Sequence, residues 1–455
     1  MKQLIPLLLF ASVTATAQHV EPAIKGEYAP QPGLCVSPEQ RADIEDMLLQ
    51  NIAQLKAQGM LPADGAQKKT TAVMFDWPLK QAAGFKANSY YGISGFMDQK
   101  YIISGQLNDW NCAGRTYDGH RGVDMYLAPF MMNMMDDNQV EIVAAADGTI
   151  IAKSDGFPDK SCSWVNPTQW NAVYVQHADG TVTWYGHMKT GSLTTKQIGT
   201  TVVAGEYLGL VGSSGMSTGP HLHFEVHDAN NIPVDPYTGS CSLTGNMWNN
   251  QTPYWDLTIN ALMTHSKPPV YNACPLPSVT NTRDTFKAND TIHFAIYLRD
   301  MIPSKIVDFE VYDAANALFK TWDYTLAGQS SSGYMIWDTV LPVQPAYGKW
   351  RYEATLEGNK VVHDFWVPDP TLDITSIDNN DHINIYPNPA SNKITVPCYE
   401  KIQQLIFRDI FGRAVLSPGR LTPGAIDISH LPVGMYLVHI DIHGHKTIQK
   451  LVIAR

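Results

Sequence analysis

Positive charge is what this sequence has least of. Only 32 Lys and Arg stand against 43 Asp and Glu in 455 residues, a formal net charge of −11, and charged residues of both signs make up 16%. Nucleic acids and anionic polymers are captured through an excess of Lys and Arg, so no nucleic-acid partner is expected. Docking on an anionic wall would need shape or a dedicated module. Long apolar runs are missing too. The most apolar stretch, Leu4 to Val13, falls well short of the ~20 residues that span a bilayer, and no later one is longer, so no transmembrane segment is expected. Apolar residues as such are plentiful, at 44%. That excludes a disordered chain, and the length predicts about three domains.

The first residues read as an export signal. Lys2 gives a positive start, Leu4 to Val13 an apolar core, and Ala15-Thr16-Ala17 a cleavage site before Gln18. Residues 1–17 are thus expected to direct the chain out of the cytoplasm, through the periplasm, to the cell surface or medium. The six cysteines, Cys35, Cys112, Cys162, Cys241, Cys274 and Cys398, then meet conditions in which disulfides persist. Cys112 and Cys162 flank the first motif below, and Cys241 and Cys274 bracket the junction after the last. Spacing does not decide connectivity. If Cys398 belongs to a separate domain, five remain and one is unpaired.

Three pieces carry chemistry. In Gly219-Pro220-His221-Leu222-His223-Phe224-Glu225-Val226, two histidines one residue apart in a β-prone run point from one face of a strand, close enough to share a metal. By itself His-x-His is common on surface strands. The second piece is His120-Arg121-Gly122-Val123-Asp124, where Gly122 and the β-prone residues after it favour a loop entering a strand. Two His and one Asp are three ligands, the number a catalytic zinc uses while leaving a position for water. The third piece, Trp184-Tyr185-Gly186-His187-Met188, adds a histidine free for proton work.

In this order, His-x-x-x-Asp, Tyr-x-His and Gly-x-Ser-x-Gly-x-x-His-x-His-Phe-Glu resemble the lysostaphin-type (LytM-like) zinc metallopeptidases. So do Ala144 to Ile150, Gly205 to Gly212 and Pro233-Val234-Asp235-Pro236, and the resemblance covers roughly Asp76 to Tyr237. It implies a mainly β fold, an antiparallel sheet with the metal in an open groove. It further implies one zinc ion per chain on His120, Asp124 and His223, with His187 and His221 as the catalytic pair beside the water. The reaction implied is peptide-bond hydrolysis, with peptidoglycan cross-links the leading substrate. Glycine-rich bridges, D-amino-acid cross-links and extracellular proteins such as elastin stay open. Met188 replaces the family's leucine, a volume-conserving swap. Phe130 to Val140 is longer than the usual link, which bears on substrate preference. A non-catalytic wall-binding or activating member of the fold would have lost a ligand, and all five positions are present. A cupin-type metal protein also has His-x-His, but Glu225 follows too closely and Asp124 has no place in it.

Around this segment, placed at 72–250, the chain divides further. Residues 18–71 hold a helix with Ser37 and Gln40 as a capping box, Pro38 in its first turn, Gly59 at its end and an apolar stripe of Ile44, Met47, Leu48, Ile52 and Leu55. The helix either packs on the back of the next domain or belongs to a prosegment over the groove. In the latter arrangement an unpaired Cys35 would suit zinc's fourth position, although a disulfide is its ordinary fate. His177 reads as structural, and His227 as an exposed strand end. Gln251 to Pro269 reads as a linker, and 270–368 as an immunoglobulin-like β-sandwich with no catalytic constellation. Finally Ile385-Tyr386-Pro387-Asn388-Pro389, Asp409 to Arg413 and Leu431 to Val438 resemble the C-terminal sorting domain of the Por (type IX) secretion system. That likeness implies a small β-sandwich over 383–455 and the type IX machinery as partner.

Overall fold

Two short strands, β1 (Gln18–His19) and β2 (Ile24–Gly26), precede helix α1 (Pro38–Ala57). The computed structural model describes residues 18–29, 33, 35–63, 72–162, 169–370, 385–396, 402–409, 413–418, 425–442 and 445–455. The expected export signal, Cys398 and residues 410–412 lie outside them. Ser37 caps α1 by accepting from the Gln40 N–H, satisfying one of the helix's orphan donors. Gln40 does not return the bond: both its side-chain polar atoms are buried without a partner. Ile44, Leu48 and Leu55 form the buried face of α1 against Ile151, Tyr174 and Trp184, each contributing roughly 1.5–3 kcal/mol on burial.

The strands β3 (Leu79–Gln81), β4 (Tyr91–Gly95) and β5 (Val123–Leu127) follow, then the short helix α2 (Met131–Asp136) within the long link after the first motif. Next come β6 (Val140–Val143), β7 (Gly148–Ser154), β8 (Ala172–His177), β9 (Val182–Gly186), β10 (Thr201–Val202), β11 (Tyr207–Leu210), β12 (His221–His227) and β13 (Pro233–Val234). The main sheet runs β10-β7-β8-β9-β12-β5-β4 with β13 added to β12, and β11-β6-β3 makes a smaller one. Strand alternation sorts the two faces of β12. Leu222, Phe224 and Val226 enter the core with Val123, Met125 and Val175. His221, His223, Glu225 and His227 take the opposite face, which α1 covers in part.

Strands β14 (Thr258–His265), β15 (Thr291–Met301), β16 (Ile306–Tyr312), β17 (Leu318–Thr325), β18 (Ser330–Val340), β19 (Gly348–Leu356) and β20 (Asn359–Val367) build a sandwich. Its sheets are β14-β15-β18-β2 and β1-β17-β16-β19-β20, closed over Phe294, Phe309, Trp322, Trp350 and Tyr352. One expectation is corrected here. The stretch 251–269 is not a linker throughout, because β14 lies in it and pairs along β15; a bulge between Ile259 and Ala261 shifts the side-chain parity and hides the alternation. The N-terminal strands β1 and β2 extend the two sandwich sheets, while α1 lies on the main sheet. The buried Arg115–Asp300 ion pair and a 2.6 Å bond from Tyr126 Oη to the Ser331 carbonyl tie sandwich to sheet.

Residues up to Val367 pack as one unit, and Pro368–Arg455 as a second. The second contains β21 (Lys393–Thr395), β22 (Ile402–Arg408), β23 (Ala414–Leu416), β24 (Ala425–Asp427), β25 (Gly434–Ile442) and β26 (His445–Ile453). β21 pairs with β24, and the other four form the sheet β23-β22-β25-β26 over Ile394, Phe407, Val438 and Leu451. Among the described residues no helix is long and apolar enough to cross a membrane.

Candidate metal centre

Asp124 on β5 stands directly across from His223 on β12, which puts its Oδ1 2.7 Å from His223 Nδ1. His120, in the loop entering β5, returns over the same spot, its Nε2 3.2 Å from Asp124 Oδ1 and 3.4 Å from His223 Nδ1. Gly122 makes this approach possible. A Cβ there would lie 2.9 Å from the His223 ring and 2.7 Å from the Phe224 carbonyl oxygen. His221, two residues along β12, points its Nε2 to 3.7 Å from Asp124 Oδ1. His187 follows β9 with φ +58°, a left-handed conformation uncommon outside glycine, and its ring centroid lies 4.3 Å from that of His221. The structure therefore brings all five sequence-predicted site residues together. None is more than 5% exposed, so the groove expected to be open is covered in this arrangement.

The carbonyl groups around the site decide which nitrogen of each ring carries its proton, because a carbonyl oxygen only accepts. His120 Nδ1–H donates to the Phe96 carbonyl at 2.6 Å, His187 Nδ1–H to that of Ser214 at 2.6 Å and His221 Nδ1–H to that of Gly219 at 2.7 Å. His223 Nε2–H donates to Glu225 Oε1 at 2.7 Å. Each ring is left with a lone-pair nitrogen facing its neighbours, the arrangement that outer hydrogen bonds impose on metal-binding histidines. A tetrahedral zinc with bonds of ~2.0–2.1 Å holds its ligand atoms roughly 3.3 Å apart. Two of the three separations among His120, Asp124 and His223 match that spacing, and the third is closer. These residue types and spacings fit a zinc ion.

Charge follows the same geometry. Burial alone would raise the Asp124 carboxyl, but His120 and His221 outweigh it and hold the group well below the ordinary carboxylate range. Burial likewise opposes ionisation of Glu225, and Arg41 overcomes it, gripping both carboxylate oxygens at 2.7 and 2.8 Å. The two remaining histidines diverge. Burial, joined by His221, lowers His187. For His221, burial acts downward too, but Asp124 and Cys35 leave it raised.

Several participants escaped sequence reasoning. Tyr117 donates to Asp124 Oδ2 at 3.0 Å and stacks on His120 with ring centroids 4.0 Å apart. Glu225 and Arg41 brace His223; the i, i+2 parity of β12 was a signal for Glu225, but nothing local marks Arg41. His227 corrects an expectation. It is buried, not an exposed strand end, because β12 continues through it, Trp184 stacks on its ring and Glu225 Oε2 lies 2.8 Å from its Nε2. His177 sits apart, bonded to the Asp147 carbonyl and Thr183. The disulfides are Cys112–Cys241 and Cys162–Cys274. Among the described residues Cys35 is the free cysteine, and it is buried at the site.

Residues 119–236 match Peptidase family M23, and residues 384–454 match the Secretion system C-terminal sorting domain. DD-carboxypeptidase/endopeptidase Mpg of Neisseria meningitidis serogroup B is 37% identical over 123 residues, which are 27% of this chain and 23% of that protein. Peptidoglycan DD-endopeptidase ShyC of Vibrio cholerae is 35% identical over 150 residues, 33% of this chain and 32% of that one. The chain thus spans about a quarter to a third of the length of these curated relatives. Among solved structures, the catalytic domain of lysostaphin from Staphylococcus simulans aligns at 23% identity and a TM-score of 0.19, over 34% of this chain and 96% of that one. The chain carries a LytM-type domain of peptidase family M23 and a C-terminal Por secretion sorting domain, which marks it for export to the cell surface or the medium.

Proposed function

We propose that the chain is a zinc-dependent endopeptidase whose substrates are the peptide cross-links of peptidoglycan. One observation carries this reading: the lone-pair nitrogens of four histidines and the Asp124 carboxylate converge on one place while every outer ring nitrogen is held by a fixed acceptor. The M23 match and relatives named as DD-endopeptidases support the peptidase class and the wall substrate. His120, Asp124 and His223 would hold one zinc ion, which supplies Lewis acidity, polarising a carbonyl and lowering the pKa of water toward ~7. His187, kept neutral by burial, takes a proton at Nε2. His221, its Nδ1–H held by the Gly219 carbonyl, would take up a proton at Nε2 and pass it toward the oxyanion or the leaving amine. The Ser214 and Gly219 carbonyls keep both rings aimed. The type IX machinery would be the export partner through residues 384–454.

The test is to incubate the zinc-loaded chain, and beside it the Cys35→Ala variant, with purified peptidoglycans of defined cross-link and with casein and elastin, and to map the products by mass. Cross-linked muropeptides cut at the peptide bridge are expected. Cleavage of the proteins with the wall left intact would move the substrate to extracellular proteins. No cleavage of either by either form would reject the enzyme reading.

A further inference from the structure

We propose that Cys35 supplies a thiolate to the fourth position of the bound metal and so holds this chain latent. The inference rests on the metal-site reading above and concerns a residue outside the M23 match. Cys35 Sγ lies 3.0 Å from Tyr117 Oη, 3.7 Å from His221 Nε2, and 3.8 and 3.9 Å from the two oxygens of Asp124. Nitrogens of His187 and His223 are within 4.8 Å of it and of each other, and so are ligand atoms of Asp124 and His221. Buried structural cysteines sit among apolar groups and are inert, whereas this one faces imidazoles and a carboxylate.

A second observation points to the same place. His187 Nε2 is buried and has no hydrogen-bond partner, although its ring is wedged between Trp170 and His221. Buried polar atoms are rarely left so unless something else binds there. Three protein ligands with a free position make a catalytic zinc site, and a fourth ligand of thiolate type makes a closed one.

The seat of Cys35 is built rather than incidental. On one side the chain is fastened to the sandwich, where β2 pairs with β18. On the other, Ser37 starts α1, and α1 is bolted to the sheet by Arg41–Glu225, by Asn51 Nδ2 donating to the Ile151 carbonyl at 2.9 Å, and by Ile44, Leu48 and Leu55. Anchors on both sides of Cys35 thus hold the thiol in the cleft. Substrate access then requires Cys35 to leave the cleft.

The experiment uses the full chain loaded with Co(II), then with zinc. Wild type should show thiolate-to-cobalt charge transfer in the near ultraviolet and one sulfur in the zinc absorption edge. Cys35→Ala and Cys35→Ser should keep the metal but lose both signatures. Both variants should hydrolyse cross-linked peptide faster than wild type by about tenfold or more, the gain when a competent state populated below one tenth becomes the main one. A sulfur-free spectrum in wild type, or equal rates in all three proteins, overturns the proposal while leaving the metal site standing. Failure of all three to bind metal overturns the site reading and this inference together.

Discussion

Arg41 and Glu225 form a buried, two-pronged ion pair, with nitrogen–oxygen distances of 2.7 and 2.8 Å across 184 residues of sequence. The same carboxylate accepts from His223, so a guanidinium on the N-terminal helix sets the orientation of a candidate metal ligand. Removing one member of a buried pair strands the other charge, which typically costs about 3–5 kcal/mol until the orphan neutralises. Arg41→Ala should therefore lower the denaturant midpoint and weaken zinc binding ~10–100-fold, the usual effect of losing an outer-shell partner. Arg41→Lys keeps the charge without the fork and should fall between. Competition with a chromophoric chelator reads the affinity, and an Arg41→Ala protein as stable and as tight as wild type would contradict the account.

The two histidines of β12 are assigned different tasks, and metal analysis separates them. His120→Ala, Asp124→Ala and His223→Ala should each lose zinc and activity together. His187→Ala and His221→Ala should retain about one equivalent of metal yet lose ~10²–10⁴-fold in turnover. A metal-free His221→Ala beside a loaded His223→Ala would exchange their roles.

Asp235 should make stability fall as the pH rises toward neutrality. Burial, opposed by the Tyr237 N–H and aided by Asp109, raises its pKa to about 7, against ~3.9 unfolded. Between those values the folded state binds the extra proton, so its stabilising effect is full below about pH 4 and is lost progressively up to about pH 7, on the order of 4 kcal/mol in all. Asp235→Asn cannot ionise and should flatten that part of the curve. Urea midpoints at pH 5 and pH 8 check it, and equal slopes for the two proteins would rule Asp235 out as the source.

The second unit should be dispensable for chemistry and needed for delivery. Ending the chain after Val367, where the first unit closes, should leave hydrolysis by purified protein unchanged while the exported pool disappears from the native host. Normal export of the shortened chain would contradict the sorting role.

Much of the site was legible because its spacing is local. His-x-His on a strand and His-x-x-x-Asp at a strand entrance keep their meaning whatever packs on them, since a two-residue period determines which side chains share a face. The strands that carry these motifs, β5 and β12, were readable for the same reason. β14 was not, because the bulge between Ile259 and Ala261 breaks the alternation that would have revealed it, and prolines flank it on both sides. His227 was misjudged because burial there comes from Trp184 on the neighbouring strand, not from any neighbour in sequence.

By itself, then, the sequence determined which residue types stand at metal-ligand spacing, that they ride on antiparallel strands, and that a separate β unit ends the chain. Tertiary structure alone decided what surrounds them. Cys35 reaches Asp124 across 89 residues and His221 across 186, and Arg41 reaches Glu225 only because α1 buries its apolar stripe on the same sheet face as the histidines. A helix stripe states that one side must be covered, by apolar burial that has no direction of its own. Which surface covers it, and which side chains are carried along, is settled only when the whole unit packs.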